Sequence, residues 1–212
     1  MSVVTTRRID LLRHGAVAGP AALHGRSDPH LSEAGAQSFV PLFEMNNLPW
    51  QRIISSPRQR CLATAQALAA HHDLPLESWP ELAEMDFGEF DGVPFDKLGA
   101  HWHELERFWS APTTHPLPGS ESLEAFHTRV TQAWQRLLQQ AKSESLLVIC
   151  HGGVIRQLLA GLLFADWRRG EYHQRLAIPH GSLTRLQIWY GEAAPTIQIR
   201  QLAGHLLPGL TP

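Results

Sequence analysis

Two short apolar runs end in the same way. Ile9-Asp10-Leu11-Leu12 leads into Arg13-His14-Gly15, and Leu146-Leu147-Val148-Ile149-Cys150 leads into His151-Gly152-Gly153. Short apolar runs bounded by glycine predict buried strands at 9–12 and 146–150. Shorter strands are expected at 52–56, closed by Pro57, and at 76–82. The alternating segments 182–190 and 196–202 read as late strands that pair as an edge hairpin. Helical spacing predicts helices at 32–45 with Ser32 as N-cap and Gly35 as a weak point, at 59–72, and at 154–164.

Strands separated by helices imply an α/β fold. The expected form is a three-layer α/β/α sandwich around a mainly parallel central sheet. The middle of the chain breaks this rhythm. Residues 95–109 are aromatic-rich and helical in pattern, 110–120 hold three prolines and suit no regular element, and a long helix is expected at 121–141. We read 1–212 as one domain with a helical and loop insertion at about 93–125. Residues 208–212 are expected to be a frayed tail.

With 212 residues, 43% of them hydrophobic and 18% charged, the chain is long enough for a sizeable core and reads as globular. A net charge of −2 gives no global attraction for nucleic acid or an anionic membrane, so any pull on an anionic substrate must be local. Two cysteines, Cys61 and Cys150, make no disulfide framework. Residues 1–10 hold no long apolar stretch, so no signal peptide is expected, and the longest apolar stretch is too short to span a bilayer. A soluble, cytoplasmic protein is expected.

Ligands bind outside the carboxyl ends of strands in open α/β sheets. His14 and His151, each at such an end, would be neighbours if their strands pair in parallel. Two imidazoles and a guanidinium suit a phosphate. His14 is the candidate nucleophile, kept neutral by adjacent guanidinium charge, and a phosphohistidine would divide the displacement into two easier steps. Arg13 and Arg60 are candidate phosphate clamps, with planar donor forks that match phosphate oxygens. The start of the helix at 59 would add backbone donors beside Arg60. Arg58 competes with Arg60, and local physics does not separate them. His151 would donate to a phosphoryl oxygen as charge builds, and Gly152-Gly153 would let the backbone approach the anion. Glu84 is the candidate general acid, with Glu81, Asp86, Glu89 and Asp91 as alternatives.

Each choice has a plainer rival: a core histidine satisfied by backbone, a surface cation, a strand-end turn, a solvated acidic loop. His71-His72 and the pair His101 and His103 tempt a metal reading. Neighbours one or two apart on a helix do not face one site, and no cysteine or carboxylate cluster completes a ligand set. No metal is expected. Phe87, Phe90, Trp102, Phe108 and Trp109 would line a substrate pocket or form the core of the insertion.

Taken together, these residues resemble the histidine phosphatase, or phosphoglycerate mutase-like, superfamily. Leu12-Arg13-His14-Gly15 looks like its R-H-G motif. The run from Ser55-Ser56-Pro57 through Arg60 to Thr64-Ala65 is similar to S-S-P-L-x-R-A-x-Q-T-A, which selects Arg60 over Arg58. Leu82-Ala83-Glu84-Met85-Asp86-Phe87-Gly88 resembles L-x-E-x-x-F-G, which selects Glu84. Cys150-His151-Gly152-Gly153 resembles S-H-G-G. The resemblance implies a phosphoglycerate mutase-like fold in which His14 takes the phosphoryl group, Arg13, Arg60, His151 and Gly152 hold it, and Glu84 protonates the leaving group. No cofactor is implied. The partner is a small-molecule phosphomonoester, and the family includes both monomers and homodimers.

Within the family the chain looks most like bacterial α-ribazole phosphatases of cobalamin biosynthesis, through the segments 23–28, 85–95 and 118–122. Alternatives are a broad-specificity phosphatase, a phosphoglycerate mutase-like enzyme, and a non-catalytic phosphate-ligand sensor. One departure stands out. Where many members continue R-H-G-E-T-x-x-N, this chain has Ala16, Val17 and Pro20. The usual threonine and asparagine are absent, and Gly25, Arg26 or a backbone amide are the candidates to replace them.

Overall fold

A computed structural model describes residues 5–192 and 194–206; the tail expected at 208–212 lies outside them. Six strands form one sheet in the order β3-β2-β4-β1-β5-β6. They are β1 (Thr5–Arg13), β2 (Arg52–Ser55), β3 (Leu76–Ser78), β4 (Leu146–Cys150), β5 (Leu183–Tyr190) and β6 (Thr196–Gly204). The first four pair in parallel. β5 joins the edge of β1 antiparallel, and β6 closes the sheet as the expected hairpin. The sheet is therefore mixed, parallel on one side and antiparallel on the other.

Side chains of a strand alternate between the two faces, and the core divides accordingly. Ile9, Leu11, Leu146, Val148 and Cys150 pack on one face with residues of α5 (Leu123–Gln140) and α6 (Gly152–Leu162). Leu12, Leu147 and Ile149 pack on the other with α2 (Val40–Phe43) and α3 (Gln59–His72). β4 is buried along its whole length because it has helices on both faces and a strand on each side. This is why it reads as an uninterrupted apolar run.

Several expected elements are shorter than the pattern implied. The helix at 32–45 splits into α1 (Glu33–Gln37), capped by Ser32, and α2. Pro41 cannot donate to the carbonyl four residues back and its ring crowds that turn, so the helix breaks between them. The strand at 76–82 stops at Ser78, and a 3₁₀ turn at Pro80–Leu82 follows. The helix at 95–109 is two 3₁₀ turns and then α4 (Trp102–Ser110). Gly99, at φ 49°, takes a left-handed conformation that ends any continuous helix. α5 starts at Leu123, with Ser122 accepting from Ala125 N–H at 3.1 Å. α6 starts two residues earlier than expected, at Gly152. α7 (Gly170–Arg175) carried no clear signal. Residues 79–122 add no strand to the sheet and lie over the carboxyl ends of the parallel strands, where they wall one side of a cavity.

Candidate active site

β1 and β4 pair so that Arg13 faces Cys150. The next residue of each is a histidine, and the two imidazoles meet at the carboxyl end of the sheet with ring centroids 5.2 Å apart. His14 N–H donates to Cys150 O at 3.0 Å, which ties the two strand ends together. His14 is only 6% exposed and His151 fully buried. His14 Nδ1 lies 2.8 Å from Gly15 O. A carbonyl only accepts, so the proton sits on Nδ1 and the lone pair on Nε2. Burial, then Arg13 and Arg60, hold the His14 pKa well below the ordinary histidine value. It is a neutral imidazole with a defined free nitrogen. Gly15 is required because a Cβ there would run into the backbone of Gly35, and one on Gly35 into Ala16.

The arginines are held by their outer nitrogens. Arg60 is completely buried. Its Nη1 donates to Ser27 O at 2.7 Å and to Asp28 Oδ1 at 3.2 Å, and its Nη2 donates to His24 O at 2.7 Å. Arg13 Nη1 donates to Ile178 O, and Nη2 lies 2.8 Å from His180 Nε2. In both residues Nε is buried without a partner among the described residues. Unpaired buried donors are costly, and an anion at this place would satisfy them. Arg58 occupies the N-cap position of α3, and its side chain does not cap the helix.

One expectation fails here. The start of α3 offers nothing to an anion, because Asp28 already takes it, accepting from Gln59 N–H at 2.6 Å and Arg60 N–H at 3.5 Å. The start of α6 is partly taken too. Gly153 N–H donates to Glu84 Oε2 at 2.9 Å, while Glu84 Oε1 accepts from Met85 N–H at 3.1 Å. A Cβ on Gly153 would strike that carboxylate, and one on Gly152 would press on the Arg13 guanidinium at 3.3 Å. The glycine pair thus makes room for both side chains.

Two of the alternatives to Glu84, Asp91 and Asp86, have other tasks. Asp91 accepts from the N–H groups of Gly25, Arg26, Ser27 and Phe87 at 2.7–3.1 Å, fastening two loops together. Burial would raise its pKa, but these donors hold it below the ordinary carboxylate value. Gly25 and Arg26 therefore spend their amides on Asp91, so these two amides do not replace the missing threonine and asparagine; the Arg26 guanidinium lies 3.4 Å from Asp86 Oδ2. Asp86 caps the N–H of Gly88 at 2.8 Å. The Glu84 loop is clasped from α5, where Arg129 donates to the carbonyls of Glu81, Ala83 and Glu84 at 2.7–3.1 Å.

A cavity of about 680 Å³ opens over His14. Arg13, His14, Glu84 and Gly152 line it, whereas Arg60 and His151 lie beneath its surface, fully buried. Ala16, Val17 and Pro20, in place of polar family residues, add to an apolar wall with Phe87, Phe108 and Trp109. The expected aromatic set divides. Phe90 is core, and Trp102 is 38% exposed, touching the cavity lining through edge contacts with Trp109 at 5.6 Å and Phe95 at 6.0 Å. His71 and His72 face the carbonyls of Phe43 and Leu42 at 2.9–3.0 Å, so they fasten α2 to α3.

Sequence reasoning missed three residues here: Ser56, whose Oγ lies 2.7 Å from His151 Nε2; Asp28; and His180, whose ring is 5.2 Å from that of His14. His180 had a signal. It precedes a strand that reads as part of an edge hairpin, and the start of a strand antiparallel to β1 lies beside the end of β1.

The family model described as histidine phosphatase superfamily (branch 1) matches residues 9–198. The chain belongs to this superfamily. Bifunctional protein Rv2228c of Mycobacterium tuberculosis is 28% identical over 206 residues, which cover 95% of this chain and 56% of that protein. The chain thus spans little more than half the length of the first curated relatives it matches. Adenosylcobalamin/alpha-ribazole phosphatase of Salmonella typhimurium is 30% identical over 160 residues, covering 74% of this chain and 79% of that one. Among solved structures, YhfR of Bacillus stearothermophilus superposes with a TM-score of 0.82 at 20% identity, covering 93% of this chain and 97% of that chain. The alpha-ribazole phosphatase from Shigella flexneri gives 0.75 at 22%, covering 93% and 98%. These structures share the fold of histidine phosphatases, the phosphoglycerate mutase-like α/β sandwich. Among the described residues no helix is long and apolar enough to cross a membrane.

Proposed function

We propose that this histidine phosphatase is a phosphomonoester hydrolase that works through a phosphohistidine on His14. The observation that carries the reading is the single tautomer of a neutral His14 on the cavity floor, with its Nε2 lone pair free. In the first step Nε2 attacks phosphorus, the bond from phosphorus to the leaving oxygen breaks, and Glu84 in its protonated form gives that oxygen a proton. In the second, water attacks the phosphohistidine, the P–N bond breaks back to Nε2, and Glu84 takes the proton from water. On this reading Arg13, which lines the cavity, meets the phosphoryl oxygens through Nε, and Gly152 leaves room for it; we assign Arg60 Nε and the His151 imidazole to the same oxygens, which requires the floor to open over these two buried groups when phosphate binds. The same reading treats the chain as one domain whose insertion at 93–125 shapes the leaving-group side.

The substrate we favour is α-ribazole 5′-phosphate, which would give the enzyme a cytoplasmic place in cobalamin biosynthesis. Two things support it: a wall of Phe87, Phe108 and Trp109 suited to a flat apolar base, and the relative from Salmonella typhimurium that bears this activity in its name. The test is phosphate release from α-ribazole 5′-phosphate, 3-phosphoglycerate, phosphoserine, fructose 2,6-bisphosphate and an aryl phosphate. His14→Ala is expected to lose on the order of 10⁴-fold or more in kcat. A variant that keeps turnover would remove the phosphohistidine. Even rates across the panel would discard α-ribazole phosphate and keep the mechanism.

A further inference from the structure

The segment from Ile178 to Ser182 has no part in the reaction scheme above, yet it holds both residues at the centre of it. Gly181 N–H donates to His14 O at 3.0 Å, and Arg13 N–H donates to Ser182 O at 3.0 Å. Arg13 Nη1 donates to Ile178 O, and Arg13 Nη2 lies 2.8 Å from His180 Nε2. The bend that permits this needs Gly181, at φ 69° and packed against Ser38, where a Cβ would meet Oγ at 2.8 Å. A guanidinium has donors only, so His180 Nε2 must be the acceptor and its proton must sit on Nδ1.

The consequence for Arg13 is geometric. Ile178 O and His180 Nε2 take the two outer nitrogens, and the guanidinium is planar. With both tips held, the direction of Nε is set, and Nε is the buried donor left without a partner among the described residues. His180 is also part of the cavity wall, with its ring 5.2 Å from the His14 ring. A cationic side chain here would repel Arg13, and an apolar one would leave Nη2 free to swing. A neutral acceptor does neither.

We propose that His180 is a positioning residue that acts through Arg13. As a neutral acceptor on Nη2, it fixes the guanidinium plane so that Nε points at the phosphoryl site. The proposal rests on the reading of Arg13 as a phosphate ligand.

The test is a double-mutant cycle read by two measurements: the affinity for inorganic phosphate, by calorimetry, and kcat and KM for the best substrate of the panel. His180→Ala is expected to weaken phosphate binding and kcat/KM by about tenfold, the scale of one hydrogen bond to a charged group. His180→Gln, whose amide oxygen restores the acceptor, should recover most of the loss. In an Arg13→Ala background, His180→Ala should change nothing further, because the residue through which it acts is gone. A lost fold would move the melting temperature and would not be rescued through Arg13. If His180→Ala does not fold, His180→Gln and His180→Leu, of similar size, carry the same comparison. Wild-type values in His180→Ala or His180→Leu would overturn the proposal, as would losses that multiply in the double variant. Phosphate binding also separates this result from the proposed activity. If no substrate turns over but the cycle is non-additive, His180 positions Arg13 in a protein that is not a hydrolase. If turnover is strong and the cycle is additive, the hydrolase stands and the role of His180 falls.

Discussion

The two ends of the cavity are built on opposite plans. At the floor the two arginines, His14 and Glu84 are tied to backbone, and His151 to the Ser56 hydroxyl. Arg60 binds the carbonyls of His24 and Ser27, Arg13 that of Ile178, His14 that of Gly15, and Glu84 the amides of Met85 and Gly153. At the far wall, Phe87 meets Phe108 and Trp109 meets Phe95 through ring edges at 6.2–6.3 Å. Backbone bonds fix position and leave little to vary. Edge contacts between rings fill space and tolerate exchange of similar volume. In the proposed reaction, chemistry belongs to the floor and discrimination among leaving groups to the wall. The comparison predicts that damage to the floor costs stability and turnover together, while damage to the wall changes preference.

The largest effect expected from the floor is at Arg60. Arg60→Ala leaves two loop carbonyls and Asp28 without their buried partner, which should cost about 3–5 kcal/mol of stability, read as a shift in the urea midpoint. The folded fraction should also lose phosphate affinity. Loss of turnover with an unchanged midpoint would show that the loop at 24–28 is held by Asp91 alone, and would break the link between stability and chemistry at the floor.

That link was only half legible in the sequence. The strands at 9–12 and 146–150, and the histidines that end them, were readable because a fully buried strand must be apolar and because a parallel sheet collects its ligands at one end. The bonds that hold the site were not. Asp91 reaches the loop at 24–28 across more than sixty residues, and Asp28 takes the start of α3 from across the site. An acidic residue in a loop looks the same whether it faces water or four amides. Pro41 marks the break between α1 and α2 in the sequence, whereas the weak point expected there was Gly35.

A smaller effect follows from the charge state of the floor. Burial first, then the neighbouring arginines, hold the pKa values of His14 and His151 well below the ordinary value. The unfolded chain protonates these groups near pH 6.5, whereas the folded chain leaves them neutral. Between pH 6.5 and the lower folded values the unfolded state binds more protons, so stability falls as pH falls through that window. Each group adds a slope of up to about 1.4 kcal/mol per pH unit. Chemical denaturation in phosphate-free buffer at pH 7.5, 6.5 and 5.5 should show the decline. His14→Asn should make it shallower, and a substitution in the wall should leave it unchanged. An equally steep decline in His14→Asn would mean that His14 is protonated in the folded state, which its bond to Gly15 O does not require but the proposed role as nucleophile forbids.

The smallest effect, and the one that sharpens the comparison most, is at the wall. Trp109 lines the cavity, while its neighbour Trp102 only supports it from the exposed side. Trp109→Ala should lower kcat/KM for a phosphomonoester with a flat apolar leaving group by about tenfold, the worth of one aromatic contact with part of its buried area. For phosphoserine, whose leaving group is too small to reach the wall, it should change little. Trp102→Ala should give a weaker version of the same selective loss, because it loosens Trp109 without removing it. Equal losses on both substrates would place Trp109 in the support of the floor instead. The cavity would then have one plan at both ends, and the apolar wall would say nothing about the leaving group.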